Sequence, residues 1–297
     1  MKWSNGLLLT LAIAASLRWQ PAWACSSCGS GAADPIILNP LEQRKFYLGM
    51  TLAHGFQAVD EQGQTRKDYG PDRKTKLELA YAHRLTSALF VSLDTGLGEN
   101  RKGSRAKTGM TDTALNLRWT ALMQDVTEPW IPQVQLVVSH RFQTTKSLQD
   151  SKEFYNLDSF GAGYDETFAG ADVWFGMQPI LFGASFLYSQ PWEENTRSGR
   201  LQMGPTEKWI GTLGYKPAET FKIIGGVVRD KRGPIELDDQ PSPVPSDKLS
   251  HDVFLTLETM RVEDDNFRLN WSQKAAFGSN RNATEMLTYT LAWMRTL

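Results

Sequence analysis

Two cysteines near the N-terminus are the residues of this chain best suited to redox or metal chemistry. Cys25 and Cys28 are the only cysteines among the 297 residues. At this spacing they can close a disulfide or supply two thiolates to a soft metal such as Cu(I). No histidine follows Cys28, so haem attachment is not indicated, and a zinc site would need two further ligands. We expect a local disulfide and no resident cofactor, with copper or redox chemistry at this pair as the alternative.

The histidines are the other candidates for catalysis, and the sequence holds four of them: His54, His83, His140 and His251. Ser139 and His140 are adjacent, but neighbours on a strand point to opposite faces and cannot form a Ser–His pair. His140 is also not followed by the Asn-Gly-x-Ser pattern of the outer-membrane phospholipases. The sequence therefore predicts no enzyme. A net charge of −1 likewise gives no global field that would attract nucleic acid.

The N-terminus has the features of a secretion signal. Lys2 supplies a positive charge, residues 7–17 (LLLTLAIAASL) form a short apolar run, and residues 22–24 (AWA) provide a small-x-small cleavage site. The run is too short for a spanning helix, which needs about 20 residues. We expect export and a mature chain that begins at Cys25, in an oxidising compartment that favours a disulfide. Lipidation of Cys25 is an alternative that the bulky Trp23 disfavours.

Short segments in which apolar and polar residues alternate dominate the rest of the chain. In the first segment, Phe46, Leu48, Met50, Leu52 and Phe56 share one face. A tilted strand of about 9–11 residues crosses a bilayer, and these segments have that length. The twelve segments cover residues 46–56, 76–84, 88–97, 110–121, 131–142, 164–176, 179–189, 206–216, 219–229, 251–260, 266–273 and 285–297.

The connections between the segments are alternately long and short. The long, polar ones include residues 60–74, 99–108, 143–163 and 230–250. The short ones include residues 84–87, 122–129, 176–179, 216–219 and 261–265. Outer-membrane barrels show this alternation, with long loops outside the cell and short periplasmic turns. We therefore predict an all-β fold, a transmembrane up-and-down antiparallel β-barrel of about twelve strands that is integral to the bacterial outer membrane.

This prediction divides the chain into a signal peptide (1–24), a periplasmic N-terminal segment with the CxxC pair (25–44) and the barrel (45–297). The last segment resembles the C-terminal strand of outer-membrane barrels, because Leu287, Tyr289, Leu291, Trp293 and Leu297 share one face that only Arg295 interrupts. Such strands usually end in an aromatic residue, and Leu297 departs from that pattern. The Gly, Ser and Pro content of residues 25–44 permits this segment either to plug the lumen or to hang in the periplasm.

If the apolar face contacts lipid, the opposite face lines the lumen. The residues there are polar and carry both signs of charge. We predict as lumen-lining Lys76, Glu78, Asp94, Asp112, Asn116, Arg118, Gln133, Gln135, Ser139, Arg141, Glu166, Asp172, Lys208, Glu258, Arg268 and Asn270. A lumen of this kind is either a narrow aqueous channel or an interior that paired charges fill, because twelve strands lie between packed small barrels and open porins.

Residues 109–119 carry the pattern Gly-x-x-Asp-x-x-Leu-x-x-Arg-aromatic, with Asp112 and Arg118 on one strand face, where they could anchor an ion pair. The pattern resembles outer-membrane proteins of the MetA-pathway phenol-degradation type, a family of transporters for aromatic compounds. This resemblance implies a barrel that takes up small, partly apolar molecules. We thus expect a porin-like channel for small, aromatic or weakly polar solutes, with lipid and solute as partners. The alternative is a non-conducting barrel whose CxxC segment docks a periplasmic redox or copper-handling partner.

Overall fold

The computed structural model describes most of the chain beyond residue 34. The described residues are 35–39, 41–66, 72–124, 130–146, 150–177, 179–196, 199–218, 220–238, 240–241, 246–259 and 264–297. The predicted signal peptide, Cys25 and Cys28 lie outside them, so the disulfide and copper hypotheses stay predictions. No helix in the described part of the chain is long and apolar enough to cross a membrane.

Twelve long strands within these residues pair antiparallel in chain order, and the last pairs with the first. They are β1 (Arg44–Val59), β2 (Arg73–Arg84), β3 (Leu89–Lys102), β4 (Thr113–Leu122), β5 (Gln133–Phe142), β6 (Glu166–Met177), β7 (Ile180–Pro191), β8 (Thr206–Ala218), β9 (Phe221–Arg232), β10 (Lys248–Thr259), β11 (Asp265–Lys274) and β12 (Ala283–Thr296). Closure leaves no unpaired strand edge, which is what a sheet in lipid requires. The predicted twelve-stranded barrel is confirmed.

The strands expose apolar residues on the outside of the barrel, and small or polar residues predominate among those that face inward. On β2, Leu77, Leu79 and Tyr81 are exposed, whereas Ala80 and Ala82 are buried. Exposed rings also lie near the two ends of the outer surface: Trp119, Tyr215 and Phe267 at the end with short turns, and Phe142, Tyr188 and Trp192 at the end with long loops. An apolar band between two aromatic girdles is the outer surface of a membrane barrel.

The two ends of the barrel differ in the length of their connections, as predicted. We call them the short-turn end and the long-loop end. At the long-loop end, strand Arg105–Met110 extends β3 as a hairpin beyond the barrel. Four short strands from two further loops form a second small sheet: Glu194–Thr196, Gly199–Gln202, Glu236–Leu237 and Gln240–Pro241. The predicted segment 110–121 therefore covers β4 and the last residue of the Arg105–Met110 strand, with Thr111 and Asp112 between the two strands.

The described part of the N-terminal segment lies inside the short-turn end of the barrel. Ile36, Ile37 and Leu38 are buried against inward-facing residues, among them Tyr47 and Phe90. Burying an aliphatic side chain of this size stabilises a fold by about 1.5–3 kcal/mol. This packing therefore holds residues 36–38 in the lumen rather than outside it.

Candidate functional site

Two cavities occupy the lumen, with volumes of about 360 Å³ and about 440 Å³. Pro35, Lys76, Glu78, Lys208 and Asp230 line both of them, so the N-terminal segment reaches the point where the cavities meet. Cavities that hold small molecules usually measure about 300–1,000 Å³. Each cavity is therefore large enough for a small solute.

The structure places the predicted lumen residues around these cavities or directly behind their walls. The first cavity is lined by Lys76, Glu78, Asp94, Asp112, Asn116, Arg118, Ser139, Arg141, Glu166 and Lys208. The second is lined by Lys76, Glu78, Lys208, Glu258, Arg268 and Asn270. Asp172, Gln133 and Gln135 are buried. The lumen thus presents both signs of charge within a narrow space.

Arg118 and Asp172 form an ion pair in which both side chains are almost fully buried. The pair bridges β4 and β6 across the intervening strand β5. The spacing of the sequence had instead suggested Asp112 as a partner for Arg118, and the structure does not pair them. A buried pair of this kind stabilises the wall, because without Arg118 the buried carboxylate of Asp172 would lose its compensating charge.

Arg141 and Glu166 form a second pair nearer the long-loop end, with Arg141 Nη1 2.9 Å from Glu166 Oε2. The hydroxyl of Ser189 donates a hydrogen bond to the other carboxylate oxygen of Glu166. The guanidinium of Arg141 also stacks over the Phe168 ring, 4.8 Å from its centroid. These contacts hold Arg141 against the wall and leave the first cavity open beside it.

Polar side chains on β3, β4 and β5 form a hydrogen-bonded chain along the wall. Asn116 Nδ2 donates to Asp94 Oδ1 at 3.0 Å, and the Ser139 hydroxyl donates to Asn116 Oδ1. Lys76 and Glu78 form an ion pair on β2. Ser139 thus faces the lumen, whereas His140 contacts Phe142 and Trp192 in the outer aromatic girdle. The two neighbours lie on opposite faces, as expected.

Glu258 is the centre of a buried charge cluster at the short-turn end. Its carboxylate lies 3.1 Å from Lys222 Nζ and 2.9 Å from Arg268 Nε. Arg268 Nη1 also donates to the carbonyl of Pro35 at 3.2 Å. Lys222 was not predicted as a lumen residue, although its even-numbered position on β9 shares the inward face with Ile224. The cluster ties the wall to the N-terminal segment.

Two further basic side chains bind the N-terminal segment (residues 35–39) at the short-turn end of the barrel, and neither was predicted. Lys45 Nζ donates to the carbonyl of Ile37 at 3.1 Å, and Arg84 Nη2 donates to the carbonyl of Asn39 at 2.6 Å. Both lie at strand ends, where a sequence pattern does not separate lumen residues from turn residues. Together with the apolar cluster around Ile36, these bonds narrow the lumen at its short-turn end.

The loop between β5 and β6 folds over the long-loop end. Thr145 Oγ1 donates to Asp112 Oδ1 at 2.8 Å, and the amide of Ala162 donates to the other carboxylate oxygen. Phe160 packs over Gly98 and Gly109, and a Cβ at Gly109 would lie 2.4 Å from the ring. These hydrogen bonds to Asp112 therefore hold the loop against the barrel wall. They also explain why Asp112 lies between two strands rather than within one.

Tyr164 lies near the end of the same loop, and its side chain is buried. Burial raises the pKa of its hydroxyl to about 12. The guanidinium of Arg232 lies 5.9 Å from the centroid of its ring. Tyr164 is therefore a neutral, buried anchor at neutral pH rather than a titrating group.

Comparisons with known proteins bear on the fold. The sequence matches no protein-family model and no curated protein. An outer-membrane channel from Pseudomonas putida F1 is similar in structure, with a TM-score of 0.69, 10% identity, and coverage of 89% of this chain and 98% of that one. The NanC porin has a TM-score of 0.50, 9% identity, and coverage of 84% and 100%. This chain therefore has the fold of known outer-membrane channels, and its apolar outer surface between two aromatic girdles makes it an integral β-barrel of the outer membrane.

Proposed function

We propose that this barrel is a narrow, passive channel for small solutes. One observation carries the proposal: two cavities of ligand size meet inside a closed barrel and are lined by side chains of both charges. A polar lumen surrounded by lipid-facing strands is the arrangement of a pore. Its solutes must be small, because the β5–β6 loop and residues 35–39 narrow the two ends.

The lining also bears on the kind of solute. Phe160, Phe168, Val137 and Leu187 contribute to the wall of the first cavity beside its charged groups. A mixed wall suits a molecule that has an apolar or aromatic body and only a few polar atoms, since each part then meets a matching surface. Small aromatic or weakly polar molecules are therefore the solutes that we propose.

Solute-induced swelling of liposomes that contain the mature chain tests this function. We expect a monosaccharide such as arabinose and an aromatic solute such as benzyl alcohol to enter faster than into protein-free liposomes, with a tetrasaccharide excluded. The protein-free liposomes correct for the passage of benzyl alcohol through lipid. Absence of protein-dependent entry for both small solutes, in the mature chain and in a chain that begins at Arg44, would contradict a channel.

The filled inner part of the lumen favours a second candidate. Lys222 and Asp172 are fully buried, and Glu258 is nearly so. A barrel packed in this way could act as a non-conducting platform whose CxxC segment docks a redox or copper-handling partner. That role predicts no solute entry, together with Cu(I) binding by the mature chain that is lost when Cys25 and Cys28 are replaced by serine.

A further inference from the structure

Four basic side chains share one wall of the lumen near its long-loop end. They lie on four consecutive strands, β8 to β11: Lys208, Arg232, Lys248 and Lys274. Lys208 is opposite Asp230 in the β8–β9 register, and Arg232 is directly opposite Lys248 in the β9–β10 register. Like charges opposite each other on a sheet are destabilising unless something of opposite charge lies between them. We call these four residues the basic wall.

The acidic groups on this wall neutralise it only in part. They are Asp230 and Asp252, and one oxygen of Asp252 already accepts hydrogen bonds from Ser250 and from the amide of Ala275. Asp230 interacts electrostatically with Lys208, Arg232, Lys248 and Lys274 alike, so this one carboxylate is shared among four basic groups. Four positive charges against two negative ones leave the wall with an excess of positive charge.

Across the cavities from this wall, the charged side chains already have partners in the protein, including Asp94, which accepts a hydrogen bond from Asn116, and Asp112, which binds the β5–β6 loop. Lys76 pairs with Glu78, and Arg141 pairs with Glu166. Those groups are therefore satisfied without a ligand. In a narrow lumen with low-dielectric walls, an excess charge on one side attracts and orients a counter-ion.

Apolar side chains border the second cavity beside the basic wall. Lys208 and Lys274 line this cavity together with Asp230, Asp252 and the apolar side chains of Ile224, Val228 and Phe254. Its volume of about 440 Å³ suits a molecule the size of a single aromatic ring with a short substituent. An inorganic anion would leave the apolar part of the cavity empty, whereas a small organic anion would fill both parts.

We propose that the basic wall and the second cavity form a binding site for a small monocarboxylate with a compact apolar body. The carboxylate lies between Lys208 and Lys274, and the apolar body packs against Val228 and Phe254. This proposal deepens the proposed channel function by naming the charge of its preferred solute. Phosphate-bearing solutes share the anionic chemistry, and the experiment below separates the two.

Calorimetric titration of the detergent-solubilised mature chain tests the site without requiring transport. The probes are benzoate, the neutral benzyl alcohol, the cationic benzylammonium and inorganic phosphate. We expect benzoate to bind at least about tenfold more tightly than the other three, because benzyl alcohol and benzylammonium lack the negative charge and phosphate lacks the apolar body. Partition of the probes into micelles would be the same for all protein variants. A difference between variants therefore reports binding to the protein.

The decisive variants are Lys208→Gln and Lys274→Gln, singly and together. The matched control is Lys231→Gln, because Lys231 lies on β9 but is exposed on the outer face. The double variant should bind benzoate at least about tenfold more weakly, with benzyl alcohol unaffected and the control unchanged. Heat-modified electrophoretic mobility shows whether each variant remains a folded barrel, and the single variants replace the double one if it does not.

The outcomes separate the site from the channel. Benzoate binding that depends on Lys208 and Lys274 supports the site even if liposomes show no solute entry. Equal binding of benzoate and benzyl alcohol, or equal binding by the folded variants and the control, would overturn the site even if the barrel conducts. Tighter binding of inorganic phosphate than of benzoate would also overturn it, because the apolar part of the cavity would then play no role.

Discussion

Arg268 on β11 donates a hydrogen bond to the backbone carbonyl of Pro35 at 3.2 Å, while its Nε lies 2.9 Å from Glu258. One side chain therefore joins the barrel wall to the N-terminal segment inside the lumen. Pro35 borders both cavities, so this contact holds the N-terminal segment at the place where the two cavities meet.

Replacing Arg268 with Met should loosen the segment and widen the passage. The variant loses the bond to Pro35, and a hydrogen bond to a charged group is worth about 1.5–3 kcal/mol. We expect larger and noisier single-channel currents than those of the unmodified chain. The matched control is Arg295→Met, since Arg295 is exposed at the same end of the barrel. Currents that do not differ between Arg268→Met and this control would show that the contact does not restrict the lumen.

Replacing Asp112 with Ala should release the β5–β6 loop from the wall. The loop loses the hydrogen bonds from Thr145 and from the amide of Ala162. We expect faster protease cleavage within residues 143–165, measured by mass spectrometry of intact and cleaved protein in micelles. Lys152→Ala is the control, because its side chain is exposed on the same loop. Equal cleavage rates in the two variants would argue against a latch at Asp112.

Removing one partner of the Arg118–Asp172 pair should destabilise the barrel more than removing both. The Asp172→Leu variant removes the buried carboxylate that pairs with Arg118, and breaking such a pair costs about 3–5 kcal/mol. The double variant Arg118→Met and Asp172→Leu should recover much of that loss. Urea unfolding in lipid vesicles, followed by tryptophan fluorescence, gives the free energies of unfolding. A double variant that is less stable than Asp172→Leu would contradict the buried pair.

The β5–β6 loop should lose order in acid through Asp158. Burial disfavours the charged form, but hydrogen bonds from Ser151, Lys146 and the amide of Lys152 outweigh it and hold the pKa of Asp158 below its usual range. A lowered pKa means that the stabilisation is present above the unfolded-state pKa of about 3.9 and is lost as the pH falls through the folded-state value.

Amide hydrogen exchange, corrected for its intrinsic pH dependence, measures this loss of order. We expect protection of residues 150–159 at pH 6 and its loss near pH 3, with Asp158→Asn unprotected at both. Protection of the variant equal to that of the unmodified chain at pH 6 would assign the order of this loop to other contacts.

The barrel could be predicted from sequence because one physical constraint acts on every strand. Lipid on one side and water or polar groups on the other force the alternation seen at Leu77, Glu78 and Leu79, and this alternation fixes which residues face inward. It does not fix which inward residues meet. Arg118 pairs with Asp172, two strands away, and this choice depends on the register of β4, β5 and β6.

The N-terminal contacts were beyond prediction for a different reason. Ile36 to Leu38 form a short apolar run without periodicity, and nothing local shows that the run packs inside the barrel. Lys45 and Arg84 stand at strand ends, where lumen and turn residues look alike. Their roles follow from the position of the segment, which only the closed barrel defines.

Single-channel recording in a planar bilayer tests the central claim most directly. The comparison is between the mature chain and a chain that begins at Arg44, both confirmed as folded barrels. We expect stable ohmic current steps from the mature chain and larger steps from the shorter one, because residues 35–39 no longer narrow the lumen of the shorter chain. Silence from both chains would contradict a channel, and equal steps would contradict a lumen narrowed by its N-terminal segment.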